Sequence, residues 1–350
     1  QKNLGQDLPM LLKNQTSVLS SSDTGNGVGY SDFRIRGVAG TSINVMMNGV
    51  PYNDSESQGT FFVNVSDLAS SASQILIQRG VGSTSNGAAA FGASVNIITK
   101  NPEETPYFRT DQSYGSFDTR KHSFEAGTGN FLHNKFSIMA RYSIIKSDGY
   151  IDRATSDLQS YNITALFKTE KTKLKFLAFG GKEKTYQSWN GVDENTYKIN
   201  RKFNSSGAIY QGGNIVKFYD NETDNYRQNH YHLILNQNIS NHWDLETTLH
   251  YTKGKGFYEN YKQDQRPDKY NIFNSGIVKT DLIRKKWLDN DFYGMVAHIY
   301  GKYNHLKINL GGAGNQYQGK HFGNMSSAFG LPQIPFEHEY YRNHSVKNDL

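Results

Sequence analysis

His230 and His232 stand two residues apart, so on a strand they share one face and form a possible metal pair. Two imidazoles without a third ligand fit solvated wall residues better, and no metal site is expected here. Asp220, Glu222 and Asp224 crowd carboxylate oxygens into one loop, the kind of ligand Ca²⁺ takes. Their spacing lacks the glycine and the distal glutamate of a calcium loop, which favours simple solvation. Gly25, Gly27 and Gly29 make no dinucleotide fingerprint, because no strand–helix unit surrounds them and the third spacing is wrong. The chain carries no Walker run, zinc helix motif or nucleophile elbow. These residues point away from an enzyme and imply no cofactor.

The elements that hold them are strands. Phe136, Ile138, Ala140, Tyr142 and Ile144 alternate with Ser137, Arg141 and Ser143. Tyr161, Ile163, Ala165 and Phe167 alternate with Asn162, Thr164 and Lys168, and Leu306, Ile308 and Leu310 with Lys307 and Asn309. Trp243, Leu245, Thr247, Leu249 and Tyr251 oppose Asp244, Glu246, Thr248 and His250. The stretch 292–303 reads in either register. Short gaps at 132–134, 169–172, 240–242 and 304–305 alternate with long ones at about 147–160, 184–228 and 254–291. A soluble sandwich has no reason to sort its loops this way. An outer-membrane barrel does, with tight periplasmic turns, large outer loops, an apolar face to lipid and a polar face to a wet lumen.

Composition agrees. Hydrophobic residues make up 36% of the 350 residues, and the mean hydropathy is -0.69. No run approaches the roughly 18 apolar residues of a spanning helix, whereas barrel strands show lipid only every second residue. The 23 Tyr and 20 Phe suit aromatic girdles and Tyr-rich outer loops. With no cysteine, disulfides and thiolate chemistry are excluded. The net charge of +6 is scattered among acids and forms no nucleic-acid patch. No charged-then-apolar leader follows Gln1, so a signal peptide is expected outside this sequence.

The sequence changes character at 101–106, whose two prolines suit an exposed linker. A Gly/Ser/Ala-rich region of 1–106 precedes a Tyr/Phe-rich, alternating region of 107–350. Nine strands are legible in the second, with a possible tenth starting near Ser345. An open sheet of that size leaves edges unpaired in lipid, so further strands are expected beyond Leu350. At about 26 residues per strand and connection, a 22-stranded barrel needs roughly 570 residues.

The first region carries Phe33-Arg34-Ile35-Arg36-Gly37, then a strand Ile43-Asn44-Val45-Met46-Met47 closed by Asn48-Gly49 before Val50-Pro51. Ile75-Leu76-Ile77-Gln78-Arg79-Gly80 follows, then Gly87-Ala88-Ala89-Ala90-Phe91-Gly92 and Ser94-Val95-Asn96-Ile97-Ile98-Thr99-Lys100. In this order and spacing, over about 7–102, these runs resemble the plug domain of TonB-dependent outer-membrane receptors. Asn48 stands where the family usually has Asp, Val81 where it has Pro, and Ala93 where it has a second Gly.

The resemblance implies a mixed α/β plug inside a transmembrane antiparallel β-barrel of a Gram-negative outer membrane. It implies active import of a scarce solute, with a ferric siderophore or other iron chelate favoured. Haem, cobalamin or glycan uptake, or a non-transporting surface receptor or adhesin, are the alternatives. Met46-Met47-Asn48 and Val95-Asn96-Ile97 differ from the usual glycan-importer plug. Implied partners are outer-membrane lipid, the solute, and TonB through a box preceding Gln1. Arg36 and Arg79 match the plug arginines that pair with barrel glutamates as a latch, those glutamates being expected beyond Leu350. The apices 20–32, 38–42 and 52–60 are expected to face the ligand, with Tyr30, Asp32, Tyr52, Asn53, Glu56 and Gln58 suited to polar recognition.

Overall fold

The protein is described from a computed structural model, which covers residues 3–80, 91–273, 275–331 and 335–350. Val81 and the run 87–90 lie outside the described residues. The N-terminal region opens with α1 (Leu8–Leu12), started by a proline in its first turn where no N–H is needed. Strands β1 (Val18–Ser22) and β2 (Ser31–Ile35) pair as a two-stranded sheet. A second sheet holds β3 (Ile43–Met47), β4 (Val50–Pro51), β5 (Ala72–Arg79) and β6 (Ala93–Thr99) in the order β4-β3-β6-β5. Asn48 and Gly49 turn β3 into β4 with φ of 50° and 79°, the left-handed pair that an Asn-Gly dipeptide tolerates. The Asn48 side-chain oxygen accepts from the Thr99 backbone N–H at 2.9 Å. An aspartate would accept there equally well, which explains why the exchange leaves the turn intact.

A short helix, α2 (Leu68–Ser71), precedes β5. The core of this region gathers Phe33, Ile35, Ile43, Val45, Met47, Val95 and Ile97, all at 2% exposure or less. Each such side chain contributes about 1.5–3 kcal/mol on burial.

From Pro106 onward the chain builds one ten-stranded antiparallel sheet in sequence order. Its strands are β7 (Pro106–Gly115), β8 (Thr119–Thr128), β9 (Phe136–Ser147), β10 (Ser156–Lys168) and β11 (Thr172–Tyr186). The connection after β11 carries α3 (Glu194–Ile199) and a side hairpin of β12 (Ala208–Gln211) with β13 (Asn214–Phe218). The sheet resumes with β14 (Thr223–Ser240), β15 (Trp243–Gln265), β16 (Thr280–Tyr303), β17 (Leu306–Ala328) and β18 (His338–Asp349). Among the described residues no helix is long and apolar enough to cross a membrane.

Strand lengths correct the sequence reading. Much of the expected long gap 254–291 is strand, because β15 and β16 run for 23 and 24 residues, and β17 matches them with 23. That is about twice the 9–11 residues a membrane crossing requires, so these strands continue well past the apolar band. The polar outer ends hide the alternation that reveals the inner halves. The tenth strand starts at His338, ahead of the expected Ser345.

The faces are inverted relative to a soluble sheet. Along β9, Ser137, Arg141 and Ser143 are buried while Phe136, Ile138 and Tyr142 are exposed. One outward row joins Phe176, Leu233, Leu249 and Met295 across four paired strands, all exposed. Tyr293 and Met295 on this face, with Phe292 inward against His250, settle the ambiguous register of 292–303.

The inner face grips the N-terminal region. Leu177 and Phe179 of β11 enter its core. Next to them Gly181 is obligatory, since a Cβ there would stand 2.3 Å from the Asn64 carbonyl oxygen. Lys175, near the short-turn end of β11, donates to Thr99 Oγ1 at 2.7 Å and to the Lys100 carbonyl at 3.0 Å.

The alternation of short and long connections makes a topological prediction. On intact cells an impermeant thiol reagent is expected to label Asn214→Cys, on the β12–β13 hairpin, and to leave Lys171→Cys, in the short β10–β11 turn, unmodified. The opposite pattern reverses the orientation.

Candidate functional site

Between the N-terminal region and the outer halves of β11 and β14–β18 lies a cavity of about 410 Å³. Tyr30, Tyr52, Asn53, Asp54 and Ser55 form one side of it, and Tyr226, His230, Lys286, Asn290 and Tyr317 are among the wall residues opposite. Of the six expected recognition residues, Tyr30, Tyr52 and Asn53 line this space. Asn53 is occupied in shaping its own loop, because its side chain bonds the Val45 N–H at 2.7 Å and the Ile43 and Gln58 carbonyls at 3.0 and 2.8 Å. Glu56 sits at the rim, where its carboxylate accepts from Tyr317 at 2.9 Å and meets His321 at 2.6 Å. Burial opposes its ionisation, but hydrogen bonds from the wall hold its carboxyl below the ordinary glutamate range. Asp32 is on the exposed side of β2, against Gly40, and Gln58 turns back to the Ser55 carbonyl at 3.0 Å. Neither lines the cavity, and neither does any residue of 38–42.

Tyr30 faces two carboxylates that the sequence did not connect to it. Its hydroxyl meets Asp224, and Glu183 stands 3.3 Å away. A phenol has one proton to donate, so it serves one of these acceptors at a time. Burial first, then the two carboxylates, push the Tyr30 hydroxyl pKa well up. Asp7, beneath this region, bonds Ser31 at 3.0 Å, and burial raises its carboxyl to about 8.

His230 and His232 do share one face, but they are buried rather than solvated, at 5% and 2% exposure. The N-terminal region fills the space that the sequence left to water. His230 stacks on Phe179 with ring centroids 4.5 Å apart and bonds Thr252 at 2.8 Å. Among the described residues no group of three His, Cys, Asp or Glu side chains is placed to hold a metal. Glu222 and Asp224 also leave solvent: Glu222 bonds Asn260 and the Tyr261 N–H at 2.8 and 2.9 Å, away from the Tyr30 contact of Asp224.

The main polar link between the two regions was invisible in the sequence. Asp67, at φ 55°, is fully enclosed. Its carboxylate meets Lys121 of β8 at 2.9 Å and Arg141 of β9 at 2.9 Å. Ser143, Ser70 and Asn3 donate to it at 2.5, 2.6 and 2.6 Å. Arg141 also reaches Ser71 at 2.9 Å. Burial raises the cost of ionising Asp67, yet Arg141, Lys121 and the hydroxyls outweigh it and hold its carboxyl below the ordinary aspartate range. Parity alone marks the wall partners, since Lys121, Arg141 and Ser143 fall on inward positions. Arg36 and Arg79 are exposed; Arg79 bonds the Thr16 carbonyl at 3.1 Å, and neither meets a carboxylate among the described residues.

Comparison with known proteins places this geometry. Residues 1–94 match the TonB-dependent Receptor Plug Domain. The ferric citrate transporter FecA, in the unliganded form, superposes over 99% of this chain with a TM-score of 0.72 at 13% identity. The copper transporter OprC superposes over 96% with a TM-score of 0.68 at 12% identity. BauA, the ferric preacinetobactin receptor from Acinetobacter baumannii, does so over 97% with 0.64 at 12%. The chain spans 51%, 48% and 51% of those three chains, about half of each. No curated protein matches the chain in sequence. At these identities the likeness is one of fold.

Removing Asp67 leaves two buried cations facing each other. Asp67→Ala is therefore expected to weaken docking of the N-terminal region by about 3–5 kcal/mol, read as faster proteolysis within residues 1–100. Asp111→Ala removes the other, exposed carboxylate near Lys121 and is expected to change little. Because the folded pKa of Asp67 is depressed, its contribution is complete above the ordinary aspartate range and lost only below it. The ratio of the wild-type to the Asp67→Ala cleavage rate should thus stay constant between about pH 7 and pH 5.

Proposed function

Since the chain carries the plug domain and the barrel fold of TonB-dependent receptors, we propose that it serves in the outer membrane of a Gram-negative cell as an energised importer of a metal chelate, with an iron chelate first. The observation that carries this reading is the cavity between the plug apex and the outer halves of the wall strands, with the packed plug beneath it. A solute bound there has no open way inward until the plug moves, so binding and passage are separate steps. No bond of the solute needs to change; the work is binding coupled to a rearrangement. Iron chelates come first because ferric citrate and ferric preacinetobactin are the solutes in the names of two of the three relatives. A copper transporter among them keeps other metals within the reading.

TonB is the proposed source of work, engaging a segment outside this chain. Arg36 and Arg79 are proposed as latch residues whose partners also lie outside it. Tyr30, Tyr52 and Asn53 are proposed as the plug face of the binding site, with Glu56 coupling the apex to β17.

The test is accumulation of radio-iron by energised cells supplied with ferric chelates. Uptake is expected to fall to background when the proton-motive force is collapsed or TonB is removed, while cell-surface binding persists. Uptake that survives both treatments overturns the importer reading, and binding with no uptake in any state favours a surface receptor.

A further inference from the structure

Lys262, Arg284 and Lys286 stand together at the outer end of the wall. The β15–β16 register sets Asn260 opposite Arg284 and Tyr258 opposite Lys286. Side-chain alternation then brings all three cations to the inner face, the face of Leu288 and Asn290 in the cavity lining. Each lies within electrostatic range of the other two.

Their neighbours have found counter-ions and they have not. Lys253 meets Asp289 at 2.6 Å, and Lys285 meets Glu337 at 3.6 Å. Among the described residues, Lys262, Arg284 and Lys286 make no such pair. Arg284 Nη1 faces only the Tyr270 hydroxyl, at 3.4 Å, and its Nε is buried without a hydrogen-bond partner. Glu222 acts on Lys262 and Arg284 at longer range, but burial works against its ionisation and its oxygens already accept from Asn260 and the Tyr261 N–H. Three like charges in a half-buried setting, with idle donors, leave an electrostatic deficit that anionic oxygens would relieve.

The surface beside them is flat and aromatic. Lys286 Nζ lies 5.9 Å from the Tyr258 ring centre. Opposite Lys286 on β17 is Gly323, where a Cβ would stand 2.3 Å from the Tyr341 ring and 2.4 Å from the Tyr340 ring. The missing side chain lets both rings approach the wall, and Tyr341 with Tyr258 lines the cavity, where a planar group can rest on a tyrosine face while its oxygens reach the cations.

We propose that Lys286 in the cavity lining, with Arg284 and Lys262 beyond it on the same wall face, forms an anion-binding end to the cavity, and that the solute is a chelate of net negative charge bearing carboxylate or catecholate oxygens. The proposal rests on the import reading for what happens to the solute after binding, and not for the binding itself.

The experiment measures quenching of tryptophan fluorescence in the purified receptor with three ferric probes: citrate, an anionic tris-catecholate and a neutral trihydroxamate. At least one anionic probe is expected to bind more tightly than the neutral one and to weaken as salt is raised. Arg284→Gln with Lys286→Gln is expected to reduce that affinity at least about tenfold. Arg284→Lys should retain part of it, and Lys255→Gln, an exposed lysine paired with Asp289, all of it. Heat-modifiable migration on gels establishes that each variant has folded. Tighter binding of the neutral probe, absence of binding by both anionic probes, or unchanged anion affinity in the double variant overturns the proposal. An anionic chelate that binds through these cations but is never accumulated by energised cells leaves the site standing and removes the import reading. Equal accumulation of the anionic chelate by wild type and double variant removes the site and leaves the import reading standing.

Discussion

A sheet that shows its apolar side chains to the outside must do something with the polar ones it turns inward. That constraint organises this chain. In a soluble sheet the inner face is the apolar one, and packing follows without further help. Here the inner face holds Lys121, Arg141, Lys175 and a row of serines and threonines, all buried. Buried polar groups without partners cost free energy, and buried charges cost more. The N-terminal region supplies the partners: Asp67 for Lys121 and Arg141, and the end of β6 for Lys175. It also supplies apolar contact where the wall offers it, at Leu177 and Phe179. Plug and wall therefore complete each other through specific polar pairs and not only through shape.

The distribution of those pairs is uneven along the lumen. Lys175 holds the plug near the short-turn end, and the Asp67 network holds it through two charges and several hydroxyls. At the outer end the apex touches the wall through Glu56, through Tyr30, and through Lys347, which donates to the Ser55 carbonyl at 2.6 Å. The firm contacts thus lie below the cavity and the lighter, more exposed ones around it. A solute competing for Tyr30, Glu56 or their wall partners disturbs the apex without having to break the buried charges beneath.

What the sequence made legible followed from periodicity and from motif order. Strict alternation in 136–146 and 161–168 announced both faces, and the Asn48-Gly49 turn announced the β3–β4 hairpin. What it hid has physical causes. The outer ends of β14–β17 lack lipid on one side and plug on the other, so neither face is forced to be apolar and the period-two signal fades. His230 and His232 read as wet because nothing in sequence says how fully the plug occupies the lumen. Asp67 was silent because its αL backbone and its two cations come from segments more than fifty residues away, and a lone Ser-Asp-Leu carries no pattern. Glu183 and Lys286 were equally silent, being single acidic and basic residues whose meaning depends on standing beside Tyr30 and beside Arg284.

The charge arrangement of the cavity follows from the same geometry. Near its floor, Glu183 and Asp224 crowd around the Tyr30 hydroxyl; at its outer end, Lys286 and Arg284 stand without counter-ions. Two buried carboxyl groups around one phenol favour holding a proton between them, so the field of the cavity is set mainly by the cations at its outer end. Low-dielectric walls concentrate such a field instead of screening it. On the proposed reading an anionic solute is drawn to that outer end, while the acidic pair below offers it no counter-charge. Tyr30 belongs to the apex and Glu183 and Asp224 to the wall, so the phenol that stands between the two acidic side chains also ties the electrostatics of the cavity to the way the apex packs.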